Sequence, residues 1–418
     1  MSEPRRNTLQ YVFFKSIYLL FEHAWRHVPT VYSYLYPCMK YYIIAGEASG
    51  DLHGSNLMKE LKKLDHTANM RCWGGDLMEA AGGTLVKHYK ELAFMGFIEV
   101  IQNLKTILSN LKFCKQDVAA FAPDVLILID YPGFNLRIAK WAKQHHFKIV
   151  YYISPQVWAW KESRVKLIRN VVDKMLVILP FEKEFYQTKW DYKVAYVGHP
   201  LVQVVQEFLN QHATPLLKAE KPIIALLPGS RKQEVAAKLP IMLEASKAFP
   251  QHQFVIAKAT SLDDDFYNHF TQNYPAVKTV KNATYGLLAG ATAALVTSGT
   301  ATLETALFGV PQVVCYKGSP VSYFIAKRLI SIKYISLVNL IMDRPVVTEL
   351  IQQALTVETV ISELQLLLFD QNKIKQVKND YAELKNLLQQ GGNASETGAK
   401  IIYQFLRPTS LPPISQQV

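Results

Sequence analysis

The chain has 418 residues, half of them hydrophobic and 19% charged. That length suits two or three domains with large cores, and the composition excludes global disorder. Lys and Arg number 46 against 34 Asp and Glu, a formal charge of +12, which suits an anionic partner such as nucleic acid, a phosphorylated substrate or an anionic membrane surface. Cys38, Cys72, Cys114 and Cys315 stand far apart, so neither a metal cluster nor a disulfide framework is indicated and a reducing compartment is expected. No apolar run reaches the ~18 residues of a membrane span.

The first 40 residues hold nine aromatics, about twice an even share. Tyr11, Phe14, Tyr18, Phe21, Trp25 and Val28 step at helical spacing and stop before Pro29. Residues 1–38 therefore read as an N-terminal extension, either an interfacial helix or one packed on the body. Met39 opens directly onto an apolar strand and a glycine loop, so it stands as a candidate start of the protein. A start there leaves the charge near +10, so the basic character belongs to the body.

Strands and helices then alternate. Strands are expected at Tyr41–Ala45, Val125–Ile129, Lys148–Ile153 and Lys174–Leu179, with helices at Gly54–Leu64 and Leu136–His145. The rhythm restarts after the stretch 213–222, with strands at Ile223–Leu227, Gln253–Lys258, Ala293–Val296 and Pro311–Tyr316. Repeated βαβ units demand a parallel sheet with helices on both faces. The fold class is α/β, with two Rossmann-like doubly wound domains and a cleft between them. Domains are expected at 39–200 and 201–370. Helices over 371–418, broken at Gly391-Gly392-Asn393, are expected to pack back toward the first domain.

Ligands of such sheets bind beyond the carboxyl ends of the strands. Gly46-Glu47-Ala48-Ser49-Gly50-Asp51 follows the first strand. It lacks the G-x-G-x-x-G pattern of dinucleotide sites and reads equally as a tight turn, but two carboxylates at a strand end need a reason. Asp130 ends the strand Val125–Ile129, where it can act as a general base on a sugar hydroxyl or cap the next helix. Gln156, Trp158, Trp160, Lys161 and Arg164 offer flat apolar faces and charge for a phosphate, or form a core beside a solvated helix start. Pro228-Gly229-Ser230-Arg231 places an Arg at a helix N-terminus, where dipole and N–H groups favour a diphosphate. Ser298-Gly299-Thr300 repeats the device, and Glu304 lies one turn in, placed to accept the hydroxyls of a ribose. Asp263-Asp264-Asp265 has the spacing of a metal-dependent sugar transferase, yet reads better as the acidic first turn of a helix. No His/Cys cluster argues for a metal.

Several segments together resemble one family. They are Ile44–Asp51, Phe94–Val100, Ser154–Trp160, Leu179-Pro180-Phe181-Glu182, Val197-Gly198-His199-Pro200, Leu227–Arg231, Ser298–Glu304 and Ser336–Leu340. The set is similar to the lipid A disaccharide synthases, inverting glycosyltransferases of the GT-B fold, from about Met39 to Glu349. The resemblance implies transfer of a diacylglucosamine unit from UDP-2,3-diacylglucosamine to 2,3-diacylglucosamine 1-phosphate, giving a β(1→6) disaccharide and UDP. It implies no metal and no cofactor, and a peripheral place on the cytoplasmic face of the inner membrane of Gram-negative bacteria. Nucleic acid is not implied, and a homodimer rests on the resemblance alone.

By the same resemblance, Asp130 and Glu47 are the acidic residues of catalysis, with Asp130 the base. Arg231 meets the diphosphate, Glu304 the ribose, and Asn339 completes the donor site. Ser49, Asp51, Met95, Gln156, Trp158, Lys161, Arg164, Ser230, Ser298, Gly299 and Thr300 complete the expected contacts. The family often has a second acid three residues after the Asp130 position, where this chain has Gly133. The apolar and basic segment Val321–Tyr334 suits acyl chains or anionic lipid, and equally a core helix with snorkelling basic residues. Other UDP-sugar enzymes of the same fold, namely the peptidoglycan N-acetylglucosaminyl transferase and UDP-sugar 2-epimerases, and a non-catalytic lipid-binding relative are the alternatives.

Overall fold

The computed structural model describes residues 38–92, 104–159, 162–212, 220–319 and 333–407. The aromatic stripe before Pro29, the motif at Phe94–Val100 with Met95, Trp160, Lys161 and nearly all of Val321–Tyr334 lie outside the described residues.

The first sheet is built from β1 (Lys40–Ala45), β2 (Asn69–Gly74), β3 (Thr84–His88), β4 (Val125–Ile129), β5 (Ile149–Tyr152), β6 (Lys174–Val177) and β7 (Ala195–Tyr196). Its strand order is β3-β2-β1-β4-β5-β6-β7. The second sheet is built from β8 (Ile223–Leu227), β9 (Gln253–Lys258), β10 (Lys278–Lys281), β11 (Ala291–Thr297), β12 (Gln312–Tyr316) and β13 (Thr348–Ile351), in the order β10-β9-β8-β11-β12-β13. Every pairing is parallel. Each is a doubly wound sheet whose order reverses once, between β1 and β4 and between β8 and β11. Helices cover both faces, so Val125–Ile129 and Ile223–Leu227 are buried at every position, which is why they read as unbroken apolar runs.

Five strands lie outside the expected set: β2, β3, β7, β10 and β13. The first helix also starts earlier than expected, at Ala48, and runs to Leu64. The expected strand Ala293–Val296 extends to Ala291–Thr297.

Two backbone crossings join the halves. One runs through Gly198-His199 into the helix Pro200–Gln211, whose Leu201, Val202 and Val205 enter the second core. The other returns through Gly391-Gly392. The helix Gln371–Gln389 does not pack back on the first domain as expected, because its Val377, Tyr381, Leu384 and Leu388 bury in the second core. Only Ala394–Leu406 crosses over. Its Ala394, Ala399, Ile402 and Leu406 join Leu57 and Leu61 of the helix Ala48–Leu64 in the first core.

Candidate active site

The two loops after β1 and β4 flank the reversal of the first sheet. Ala45 pairs with Ile129, so Gly46-Glu47 and Asp130-Tyr131 leave the sheet side by side. Asp130 and Tyr131 both take left-handed backbones, with φ 42 and 47. Ile153, just beyond the neighbouring β5, has φ 66. A β-branched residue there is a genuine outlier, and such strain gathers at functional sites. Local bonds hold the bend. Asn135 Nδ2 donates to the carbonyl oxygens of Ile129 at 3.1 Å and Asp130 at 2.8 Å, and Tyr151 Oη donates to the Asp130 carbonyl at 2.5 Å. The Tyr131 ring lies where a Cβ on Gly46 would be, so only glycine fits beneath it.

Asp130 is not a helix cap. Tyr131 occupies the cap position of the helix Pro132–Gln144, with proline at its start. The Asp130 carboxyl is instead raised to about 6, first by burial and then by the charge of Glu47, against a downward pull from the Tyr131 amide. That places a proton acceptor near neutrality at the switch point. Glu47 and Ser49 are exposed at the start of the helix Ala48–Leu64. Gly133 is exposed, and a Cβ there would meet nothing within 4 Å.

Asp51 needs correcting. It is 3% exposed, and its carboxylate accepts the N–H groups of Gly75 at 2.8 Å, Met78 at 3.0 Å and Leu77 at 3.2 Å. It caps the helix Asp76–Ala80 from a neighbouring helix and is not offered to a ligand.

After β5, Gln156 is exposed, while Trp158 packs with Phe181 edge to face and donates Nε1–H to Glu182 Oε1 at 3.2 Å. Glu182 is 1% exposed and also accepts from Leu179 N at 3.0 Å and Ile178 N at 3.3 Å. Burial raises its carboxyl to about 8, with the field of Asp130 a smaller cause. Glu182 sits in a quoted motif but had no role assigned, since nothing in the sequence ties it to Trp158. Trp158 and Phe181 lie against the second core, so this residue pair marks the junction of the halves. Arg164 opens the helix Arg164–Val171, and its charge reaches the Tyr151 hydroxyl.

The second sheet repeats the geometry. Val296 pairs with Leu227, so the loops carrying Ser230-Arg231 and Ser298-Gly299-Thr300 leave the sheet together. Arg231 is exposed at the cap position of the helix Lys232–Ser246. Gly299, φ 140, caps the helix Thr300–Leu307, with Thr300 exposed beside it. Ser298 Oγ donates to the Ile335 carbonyl at 2.7 Å. Glu304 is largely buried, its carboxyl raised by desolvation, and its Oε1 accepts from Tyr285 Oη at 2.8 Å. Oε2 has no hydrogen bond among the described residues, so the carboxylate keeps an acceptor face.

Asn339 is the second correction. It is 1% exposed. Its Oδ1 accepts from Val346 N at 2.8 Å and Val347 N at 2.9 Å, and its Nδ2 donates to Val347 O and Glu349 Oε1, both at 2.9 Å. The whole amide is used in folding the turn 343–349. Asp263 occupies the cap position of the helix Asp264–Thr271, and Asp264 pairs with Lys258 at 2.9 Å, so the acidic run is a helix start. Among the described residues no group of three or more His, Cys, Asp and Glu is placed to hold a metal.

Two doubly wound domains, each with glycine-containing loops at its strand reversal, define a two-domain fold of the GT-B type. Solved structures agree on that fold. UDP-GlcNAc 2-epimerase from Neisseria meningitidis matches with a TM-score of 0.61 at 14% identity, over 88% of this chain and 99% of that one. A calicheamicin glycosyltransferase matches with 0.57 at 15% identity, over 89% and 99%. The sequence goes further. Residues 41–402 match the family model described as lipid-A-disaccharide synthetase. A lipid-A-disaccharide synthase of Geobacter metallireducens is 39% identical over 88% of this chain and 98% of its own, and one of Coxiella burnetii is 37% identical over 87% and 98%. The chain belongs to the lipid-A-disaccharide synthase family and is a glycosyltransferase.

Proposed function

We propose that the chain transfers 2,3-diacylglucosamine from UDP-2,3-diacylglucosamine to the 6-hydroxyl of 2,3-diacylglucosamine 1-phosphate, with inversion and without a metal. The observation that carries this reading is the buried Asp130 carboxyl at the strand reversal of the first sheet, raised to about 6, in a chain whose second sheet has Arg231 and two helix starts at its own reversal. Asp130 takes the acceptor proton as the hydroxyl oxygen attacks the anomeric carbon from the face opposite UDP. The bond from that carbon to the diphosphate oxygen breaks, and its electron pair leaves with UDP. Arg231 and the starts of the helices Lys232–Ser246 and Thr300–Leu307 neutralise the charge that grows there. Glu304, steadied by Tyr285, accepts the ribose hydroxyls through its remaining oxygen.

A peripheral place on the inner membrane suits both acylated substrates and the net charge of +12. Leu108 and Phe113 are 56% and 43% exposed on the helix Leu104–Phe121 beside the exposed Lys105 and Lys112, a surface of the kind that meets anionic lipid. A homodimer is compatible with this placement.

The test is turnover of the two named substrates in detergent with EDTA, by purified protein starting at Met39. Disaccharide 1-phosphate and UDP in equal amounts are expected. If both this protein and the full chain make none across several acyl lengths, the acceptor assignment is wrong and other UDP-sugar reactions take its place.

A further inference from the structure

The helix Lys232–Ser246 carries a charge that the reaction above does not use. Lys238 is 2% exposed, and its Nζ reaches the Thr297 hydroxyl at 2.5 Å. Thr297 is the last residue of β11, and Val296 beside it pairs with Leu227 of β8. The ammonium therefore lies where the loops of Arg231 and Ser298–Thr300 leave the sheet. Burying an ammonium is costly unless a negative charge compensates it. Among the described residues its hydrogen bond goes to a neutral hydroxyl, and the nearby Cys315 thiol is pushed up to about 12 by burial. The carboxylate in its field is Glu234, one turn earlier on the same helix.

Glu234 is engaged elsewhere. Its Oε2 accepts from Ser230 N at 3.3 Å, and its Oε1 stands 3.5 Å from Arg231 Nη1. A Cβ on Gly229, φ 122, would run into the same carboxylate. An internal anion thus sits at the Ser230 N–H and the Arg231 guanidinium, which a phosphate would meet, held by contacts long enough to exchange.

We propose that Lys238 supplies a second positive charge to the diphosphate site, and that Glu234 holds the place of the diphosphate until the donor arrives. This rests on the UDP-sugar reading of that site. On binding, the diphosphate displaces the Glu234 carboxylate from Ser230 and lies between Arg231 and the buried ammonium. Lys238 is a positioning residue, acting through the field and through Thr297 at the root of the loop.

Calorimetric titration of the full chain with UDP, UMP and uridine separates the possibilities. Were wild-type protein to bind UDP no better than UMP, the diphosphate reading itself would fail, whatever Lys238 does. Given tighter UDP binding, Lys238→Met is expected to weaken UDP about tenfold, UMP much less and uridine not at all, with Lys238→Arg close to wild type. Unchanged UDP affinity in Lys238→Met overturns the proposal. Met fills a similar volume without charge, so the ligand-free melting temperature should hold or rise. A fall in melting temperature with the UDP-to-UMP ratio intact would make Lys238 merely structural. Lys238→Gln carries the same readout should the Met variant not fold. Glu234→Gln is expected to tighten UDP severalfold by removing the resident charge, and weaker UDP binding there would remove the placeholder role.

Discussion

Asp130 is held in a conformation and a protonation range that the fold alone would not choose. Its left-handed backbone, its buried carboxyl and the neighbouring Glu47 all oppose stability. The folded pKa of about 6 lies above the ordinary carboxylate value. The folded state therefore binds this proton more tightly than the unfolded chain does. Stability from the site is fully present below about pH 4 and is lost as pH rises through 6. Asp130→Asn should thus raise the melting temperature at pH 8, by on the order of 2 kcal/mol of stability, and leave it unchanged near pH 4. The same variant should lose 10²–10⁴-fold in turnover at pH 8, the usual worth of a positioned base. Equal turnover in the two proteins would remove Asp130 from the chemistry. A second test uses the open position at Gly133. A Cβ added there meets no atom within 4 Å, and the position lies in the first turn of a helix, where negative charge is favoured. Gly133→Asp should fold normally and move the acid limb of the rate profile to higher pH, because a like charge disfavours ionised Asp130. Glu47→Gln should move that limb to lower pH. Limbs that stay fixed in both variants would mean that another group sets the profile.

At the scale of elements, what could be read in advance and what could not divide by where the partner sits. The strands β4, β8 and β9 matched their expected limits because central strands of a parallel sheet are apolar on both faces. Strands β3 and β10 lie at sheet edges, half-buried or exposed, with sequences such as Lys278–Lys281 that carry almost no apolar signal. Loops after β1, β4, β8 and β11 were legible because glycine, proline and acid residues crowd strand ends there. Asp51 shares its sequence motif with Glu47 yet serves a different purpose: its three N–H donors lie 24 to 27 residues away, a distance no local pattern spans. Asn339 was misread for the same reason, since the turn it folds comes after it. Glu182 stands in a quoted motif without a role, because its importance lies in burial against Trp158. The corrected role of Asp51 can be checked. Asp51→Asn leaves one acceptor oxygen for three N–H donors, so about 2 kcal/mol of stability should be lost, while the Michaelis constant for the donor stays as in wild type. A raised Michaelis constant at unchanged stability would restore Asp51 to the substrate.

For the whole molecule, the decisive contact is the one where the two crossings meet. His199 N donates to the Leu388 carbonyl at 3.2 Å, and Tyr196 Oη donates to those of Leu387 and Leu388 at 3.0 and 3.1 Å. Gly198, φ 86, and Gly391 touch backbone to backbone, with no room for a Cβ on either. Beyond this point Asn393 caps the last helix by accepting from Ser395 and Glu396, and that helix closes the first core against Leu57 and Leu61. The first domain is thus completed by the far end of the chain, and its stability depends on a joint made of glycines. A methyl group at 391 cannot be absorbed by a side-chain rotation, because the atoms it meets are backbone. Gly391→Ala should therefore separate the crossings and loosen the last helix, at a cost of about 2 kcal/mol or more, the scale of a strained or overpacked core position. The second domain keeps its own core, so UDP should still raise the melting temperature of the variant. Two melting transitions are then expected in place of one, with the ligand acting on the second domain's. A single transition at the wild-type temperature would show that the joint tolerates the methyl group and that the halves are coupled elsewhere.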